Sequence, residues 1–278
     1  MRYIVAVSGG IDSVVLLDLM SRTEKDLVVA HFDHGIREDS ASDARFVEAL
    51  ADKYKIQFVC RREKLGSDAS EELARQRRYE FLRGVAADFD GMIVTAHHRE
   101  DIIETVAMNL ARGSRWRGLA GMSDSEIARP MNGWTKQRIY EYAIRQKLEW
   151  CEDETNQSDA YQRNRFRRRI NCELDEYQKA GVYEVWRQQR KLRIEIEQEI
   201  EEFDYVVSSR YFLTMIDDNV AQELVYCHIL RHYNISLLSY QLERALIAIK
   251  TGKPGSCWQI GGGILMKLTM RDVIIERV

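Results

Sequence analysis

Hydrophobic spacing switches between two periods along the N-terminal part of the chain. Tyr3–Val7 is a short, β-rich apolar run, and Ile11–Met20 repeats its apolar residues at helical spacing. Leu27–Phe32, Ile56–Cys60 and Met92–Ala96 read as three further strands. Between and after them, 40–54, 70–87 and 101–111 read as helices. Asp39 or Ser40 caps the first of these, and Phe46, Val47 and Leu50 share its apolar face. Ser70 caps the second, with Glu71 and Glu72 in the first turn, where the helix dipole favours acids. Strands alternating with helices predict βαβ units and a parallel sheet.

Beyond Pro130 the pattern becomes helical. It predicts a helix over 135–147 and one long helix over 182–207, with Val182, Val185, Trp186, Leu192, Ile196, Ile200, Phe203 and Val207 recurring every three or four residues. At 1.5 Å per residue that helix would be about 39 Å long and could bridge two domains. Helices near 219–233 and 238–250, a turn at 252–255 and two strands near 257–260 and 264–276 complete the chain. The expected domains are 1–180, a linking helix 181–207 and a small unit 208–278.

In such sheets ligands bind beyond the carboxyl ends of the strands. The polar clusters fall there: 8–13 after the first strand, 33–37 after the second and 97–104 after the fourth.

Composition excludes some classes. No apolar run approaches the length of a membrane span. The N-terminus enters strand-like residues at once, so no signal peptide is expected. Five widely spaced cysteines without a CxxC argue against a disulfide framework, a zinc site or a cysteine-held cluster, and fit a reducing cytoplasm. Net charge is −3, yet 161–193 holds ten Lys/Arg against four acids, and 195–204 holds six acids and no base. That asymmetry points to a local anionic partner.

Ser8-Gly9-Gly10-Ile11-Asp12-Ser13 lies between the first strand and the first helix. Glycines let backbone approach a phosphate, and the free N–H groups of a helix start face the anion. The hydroxyls of Ser8 and Ser13 can donate to it as well. No lysine follows, and neither G-x-x-x-x-G-K-[ST] nor G-x-G-x-x-G occurs.

The S-G-G-x-D-S pattern resembles the PP-loop of the N-type ATP pyrophosphatases, which split ATP between the α- and β-phosphates. Three further stretches resemble the tRNA(Ile)-lysidine synthetase family within that superfamily. They are HFDHGIRED (31–39), TAHHREDIIETVAMNLARGSRWRGLAGM (95–122) and the stretch 129–170, which runs from RPMNGWTK through WCEDETN to QRNRFRRRI. The unit after 208 is similar to that family's small domain, including Gly252, Lys253 and Gly261 to Gly263. Two positions depart from the pattern: Ile102 stands where Gln is usual, and Glu100 where Asp is usual. The likeness is to the compact form of the family.

The resemblance implies an α/β fold: a parallel-sheet PP-loop (adenine nucleotide alpha hydrolase-like) domain, a long connecting helix and a small α+β C-terminal domain. It implies a ligase that uses ATP, with Mg²⁺, to adenylate the wobble cytidine of CAU-anticodon tRNA(Ile). Free L-lysine then displaces AMP to give lysidine. A cytoplasmic protein without membrane contact is expected; a homodimer is left open. Other PP-loop tRNA-modifying or amide-forming enzymes, and a silent RNA-binding homologue, stay open as alternatives.

Roles follow residue by residue. Ser8, Gly9, Gly10, Ile11, Asp12 and Ser13 would hold the triphosphate. Asp12, an acid beside phosphates, is the expected Mg²⁺ ligand. Asp33 and His34 would contact nucleotide and relay protons. His98 and Asp101, beside His97 and Glu104, form a catalytic cluster better suited to Mg²⁺ than to zinc. Arg112, with Arg115 and Arg117, would contact phosphate. Asp153, near Asn156, would orient the lysine ammonium. Arg163, Asn164 and Arg167 would meet tRNA, with Tyr161 and Phe166 stacking on exposed bases.

Overall fold

The computed structural model describes residues 1–35, 40–66, 70–122, 126–151 and 162–278. The chain divides into two compact units, Met1–Arg190 and Lys191–Val278.

The first unit is built on a parallel sheet. Its strands are β1 (Arg2–Ala6), β2 (Leu27–Asp33), β3 (Gln57–Arg62), β4 (Gly91–Val94) and β5 (Ile127–Ala128). Their spatial order is β3-β2-β1-β4-β5, every pair parallel. β5 is two residues long, too short for a periodic signal, and the sequence pattern does not predict it. The chain leaves β1 for β2 and β3 on one side, then crosses to β4 on the other. The carboxyl ends of β1 and β4 therefore form the switch point where ligands bind in such sheets.

Alternate residues of the strands face two cores. Val5, Val7, Val29 and Val94 pack with α1 (Ile11–Thr23), α2 (Ser40–Tyr54) and α6 (Lys136–Arg145). Ile4, Val28, Ala30 and Ile93 pack on the opposite side with Phe81, Leu82 and Val85 of α3 (Glu71–Asp88). The Ser70 side chain caps α3 by accepting from Leu73 N–H at 3.2 Å. α4 (Arg99–Ala111) begins two residues earlier than its apolar spacing predicts, because Asp101 Oδ2 accepts from His98 N–H at 3.0 Å and fixes the first turn. Ile102 and Val106 of α4 pack with Trp186 of α8 (Glu176–Glu202). The short helix α5 (Trp116–Leu119) and the basic helix α7 (Gln162–Glu173) complete this unit.

In the second unit, α9 (Arg210–Met215), α10 (Asp218–Tyr233) and α11 (Ser239–Thr251) pack against an antiparallel sheet. Its strands are β6 (Cys257–Gly261), β7 (Ile264–Leu268) and β8 (Val273–Arg277), in that order. The pattern at 264–276 reads as one strand; the structure breaks it in two. Thr269 Oγ1 accepts from the N–H groups of Arg271 (3.1 Å) and Asp272 (2.7 Å), making a turn without glycine or proline. The long helix likewise ends earlier than expected and is followed by a 3-10 turn, Asp204–Ser208. Among the described residues no helix is long and apolar enough to cross a membrane.

A buried carboxylate locks the layer behind the switch point. Asp18 of α1 is 2% exposed. It accepts from Tyr54 of α2 (2.7 Å), Tyr142 of α6 (2.7 Å) and Arg22 (2.8 Å). Burial alone would raise its pKa, but these donors hold it below the usual carboxylate range. Burial and Asp18 together push the Tyr142 hydroxyl up to about 12. Because the native pKa is depressed, the stability this group contributes is full above its unfolded value of 3.8 and is lost as pH falls through the native value. Asp18→Asn is expected to cost about 2–3 kcal/mol at neutral pH. Denaturant unfolding repeated from neutral pH into the acid range should show a shallower acid loss for the variant than for the wild type.

Candidate active site at the sheet switch point

The loop after β1 is shaped before any ligand arrives. Gly9 has φ +95°, a conformation that favours glycine. Ser13 is 5% exposed and turns its hydroxyl inward. Its Oγ accepts from the N–H groups of Ser8 (3.1 Å) and Gly9 (3.2 Å) and donates to the Gly10 carbonyl (2.9 Å). Its proton is therefore directed at the loop itself, where the sequence reading aimed it at phosphate. Cys151 N–H holds the Gly9 carbonyl from outside at 3.0 Å.

Asp12 stands in the first turn of α1, and the structure supplies a cation beside it. Lys136 Nζ lies 2.5 Å from Asp12 Oδ1, joining positions 124 residues apart. Lys136 is the first residue of α6, where the helix dipole disfavours a base. Two acids offset that penalty, since Glu100 Oε2 accepts from Lys136 N–H at 3.1 Å. Sequence reasoning gave Lys136 no role. Its signal was a base placed directly after a helix cap, Thr135.

His98 ends the segment after β4 and is 6% exposed. Its Nδ1 lies 3.0 Å from Glu100 Oε2, and its Nε2 lies 3.5 Å from Asp101 and 3.8 Å from Asp12. Burial opposes its protonation, but Glu100, Asp101 and Asp12 outweigh that and raise its pKa above the ordinary value. Glu100, one of the two departures from the resembled pattern, is thus the hinge between His98 and Lys136. The other departure, Ile102, is 1% exposed and belongs to the core beside Trp186.

The expected cluster of His97, His98, Asp101 and Glu104 splits. His97 Nδ1 lies 2.8 Å from Thr95 Oγ1. Glu104 is 2% exposed and accepts from Arg167 Nε at 2.5 Å and Nη2 at 3.2 Å. Arg167, expected to meet RNA, instead fastens α7 onto α4. Its exposed neighbours Arg165, Arg168 and Arg169 remain on the outer side of that helix.

Asp33 is buried at the end of β2, its Oδ1 accepting from Gly35 N–H at 2.8 Å and its Oδ2 3.2 Å from Arg62 Nε. Burial, aided by Arg78, lowers the His34 pKa, and its Nδ1 is buried with no hydrogen-bond partner among the described residues. Arg112 follows the last turn of α4, about 20 Å along the helix from His98. Asp153, Asn156 and Tyr161 lie outside the described residues, as do the side chains of Arg163 and Asn164.

A cleft of about 460 Å³ opens beside the loop, lined by Ile11, Lys136, Gln137, Tyr140 and Trp150. Tyr140 and Trp150 meet edge to face, with centroids 6.3 Å apart.

The two loop serines should separate on substitution. Ser13→Ala leaves the buried Gly9 N–H without its acceptor and is expected to lower stability by about 1–3 kcal/mol. Ser8→Ala should leave stability unchanged within about 0.5 kcal/mol. Thermal unfolding of both variants in the absence of nucleotide checks the contrast.

Comparison with known proteins converges on this unit. A tRNA(Ile)-lysidine synthase from Exiguobacterium sibiricum is 36% identical over 204 residues, covering 70% of this chain and 49% of that protein. One from Haemophilus ducreyi is 38% identical over 174 residues, covering 60% of this chain and 40% of that protein. The chain thus spans half or less of the length of these curated relatives. Among solved structures, a U34-tRNA thiolase from Methanococcus maripaludis shares the fold with a TM-score of 0.58 at 18% identity, covering 69% of this chain and 71% of that one. A family model described as a PP-loop domain matches residues 1–174, the stretch that carries the parallel sheet, the Ser8–Ser13 loop and α7, and the chain accordingly belongs to the PP-loop domain family.

Proposed function

We propose that this protein joins lysine to C2 of the wobble cytidine of a CAU-anticodon tRNA(Ile), using ATP. The observation that carries the reading is the convergence of Asp12, Lys136, His98 and Glu100 on the PP-loop, within the region similar to proteins named tRNA(Ile)-lysidine synthase. In the reaction the cytidine C2 oxygen attacks the α-phosphorus and pyrophosphate leaves. The lysine side-chain amine then attacks C2, and AMP departs with that oxygen.

The residues divide this work. The backbone N–H groups at the start of α1 face the phosphates, and Lys136 adds a positive charge where the leaving pyrophosphate gathers negative charge. Asp12 fits a Mg²⁺ ion, which commonly takes one or two carboxylates together with phosphate oxygens; when bound it would supply charge neutralisation. His34, kept neutral with a buried unpartnered Nδ1, suits proton acceptance. The cleft at Tyr140 and Trp150 offers faces for a nucleobase. Arg163 and Asn164, with the exposed arginines of α7, would meet the anticodon arm, while Arg167 positions that helix. Asp153 is the proposed lysine anchor. On this reading 1–180 is the catalytic region, 181–207 the link and 208–278 an appended domain, in a cytoplasmic enzyme.

Incubating the protein with transcribed CAU tRNA(Ile), ATP and labelled lysine should place label in the tRNA together with AMP release. AMP release without label would mean a different acceptor. Bound tRNA with neither product would overturn the enzyme reading. Asp12→Ala is expected to abolish AMP formation. Lys136→Met should lower the adenylation rate by about 100-fold while leaving the melting temperature unchanged, because an exposed ion pair contributes at most about 1 kcal/mol.

A further inference from the structure

The second unit carries a cluster that lysine ligation does not use. Asp204 opens the 3-10 turn 204–208, and His228 and His232 lie one helical turn apart on α10. His228 Nδ1 is 3.0 Å from Asp204 Oδ1, and His232 Nε2 is 2.8 Å from Asp204 Oδ2. The two imidazole rings are 4.4 Å apart. One donor atom from each of the three residues lies within 4.8 Å of the others.

We propose that Asp204, His228 and His232 form a binding site for a divalent transition ion, with Zn²⁺ the expected occupant. Two histidines at i and i+4 present their nitrogens on one helix face, the spacing that zinc-binding helices use. Two imidazoles and a carboxylate match the donor preference of Zn²⁺ and leave a fourth tetrahedral position open. An ion with bonds of about 2.1 Å holds its donors about 3.4 Å apart, so the observed donors need only small shifts.

The supports are rigid. Val206 and Val207, two and three residues beyond Asp204, are 8% and 1% exposed in the core of this unit. Cys227 and Ile229, which flank His228, are buried in the same core. The turn and the helix are thus fixed relative to each other before any ion binds. Each imidazole now directs one nitrogen at the carboxylate. On metal uptake that nitrogen becomes the ligand and the ring proton resides on the other nitrogen. Arg231 Nη1, 3.6 Å from Asp204 Oδ1, opposes a cation but sits on a 34% exposed side chain that can turn outward.

The test is Zn²⁺ binding to the full, untagged chain after metal stripping, followed by competition with a chromophoric chelator. One tight equivalent is expected. His232→Gln and Asp204→Asn should each weaken it by about 100-fold or more, since even supporting residues of metal sites contribute 10–100-fold. The triple variant Cys60→Ser/Cys172→Ser/Cys257→Ser, which removes the exposed thiols, should bind as the wild type does. His232 is half exposed, and circular dichroism verifies that its variant remains folded. Zn²⁺ should also raise the melting temperature of the wild type but not of His232→Gln. Unchanged affinity in both site variants, or no tight equivalent in the wild type, would overturn the proposal.

Discussion

The contact between Asp12 and Lys136 sets the electrostatics of the switch point. An acid in the first turn of α1 complements the helix dipole, yet it points negative charge at the place where phosphate should bind. A base at the first position of α6 has the converse problem. Each residue is poorly placed alone, and the pair makes both acceptable. Because both side chains are partly exposed, the contact contributes little to stability. Its consequence is positional: it brings a cation from residue 136 to a phosphate loop at residues 8–13.

The neighbouring charges extend the same arrangement. Glu100 receives the α6 backbone and the His98 ring at once, so the segment after β4 and the start of α6 are held in register. One turn along α4, buried Glu104 takes the guanidinium of Arg167. An unpaired carboxylate at that depth would be costly, so α7 docks where its arginine can reach. The basic helix is thereby oriented, with Arg167 turned inward and Arg165, Arg168 and Arg169 exposed. On the proposed lysine ligation this orientation has a purpose: the base to be activated and the phosphate loop would have to meet at one sheet edge.

The Asp204–His228–His232 cluster shows how a fold can assemble donors without a motif. Only the two histidines share a visible spacing. The third donor comes from a turn placed by Val206 and Val207 in a hydrophobic core, a local packing event that no pattern around Asp204 announces.

The sequence by itself determined the parallel α/β architecture, because strand and helix periods differ and buried strands read as apolar runs. It also located the phosphate loop, whose glycine at φ +95° leaves little choice of residue. The helix 40–54 and the Ser70 cap were legible for the same local reason. Short elements escaped: β5 is two residues long, and the turn after Leu268 is built by a threonine side chain. Tertiary structure alone decided which side chains meet. Ser13 looked like a phosphate donor and became the internal brace of its loop. Arg167 looked like an RNA contact and became an anchor, and Lys136, to which sequence reasoning assigned no role, became the cation beside Asp12. Local sequence fixes backbone preference over a few residues, whereas charge pairing depends on distances across the fold, and those exist only once the sheet has brought residues 12, 98 and 136 together.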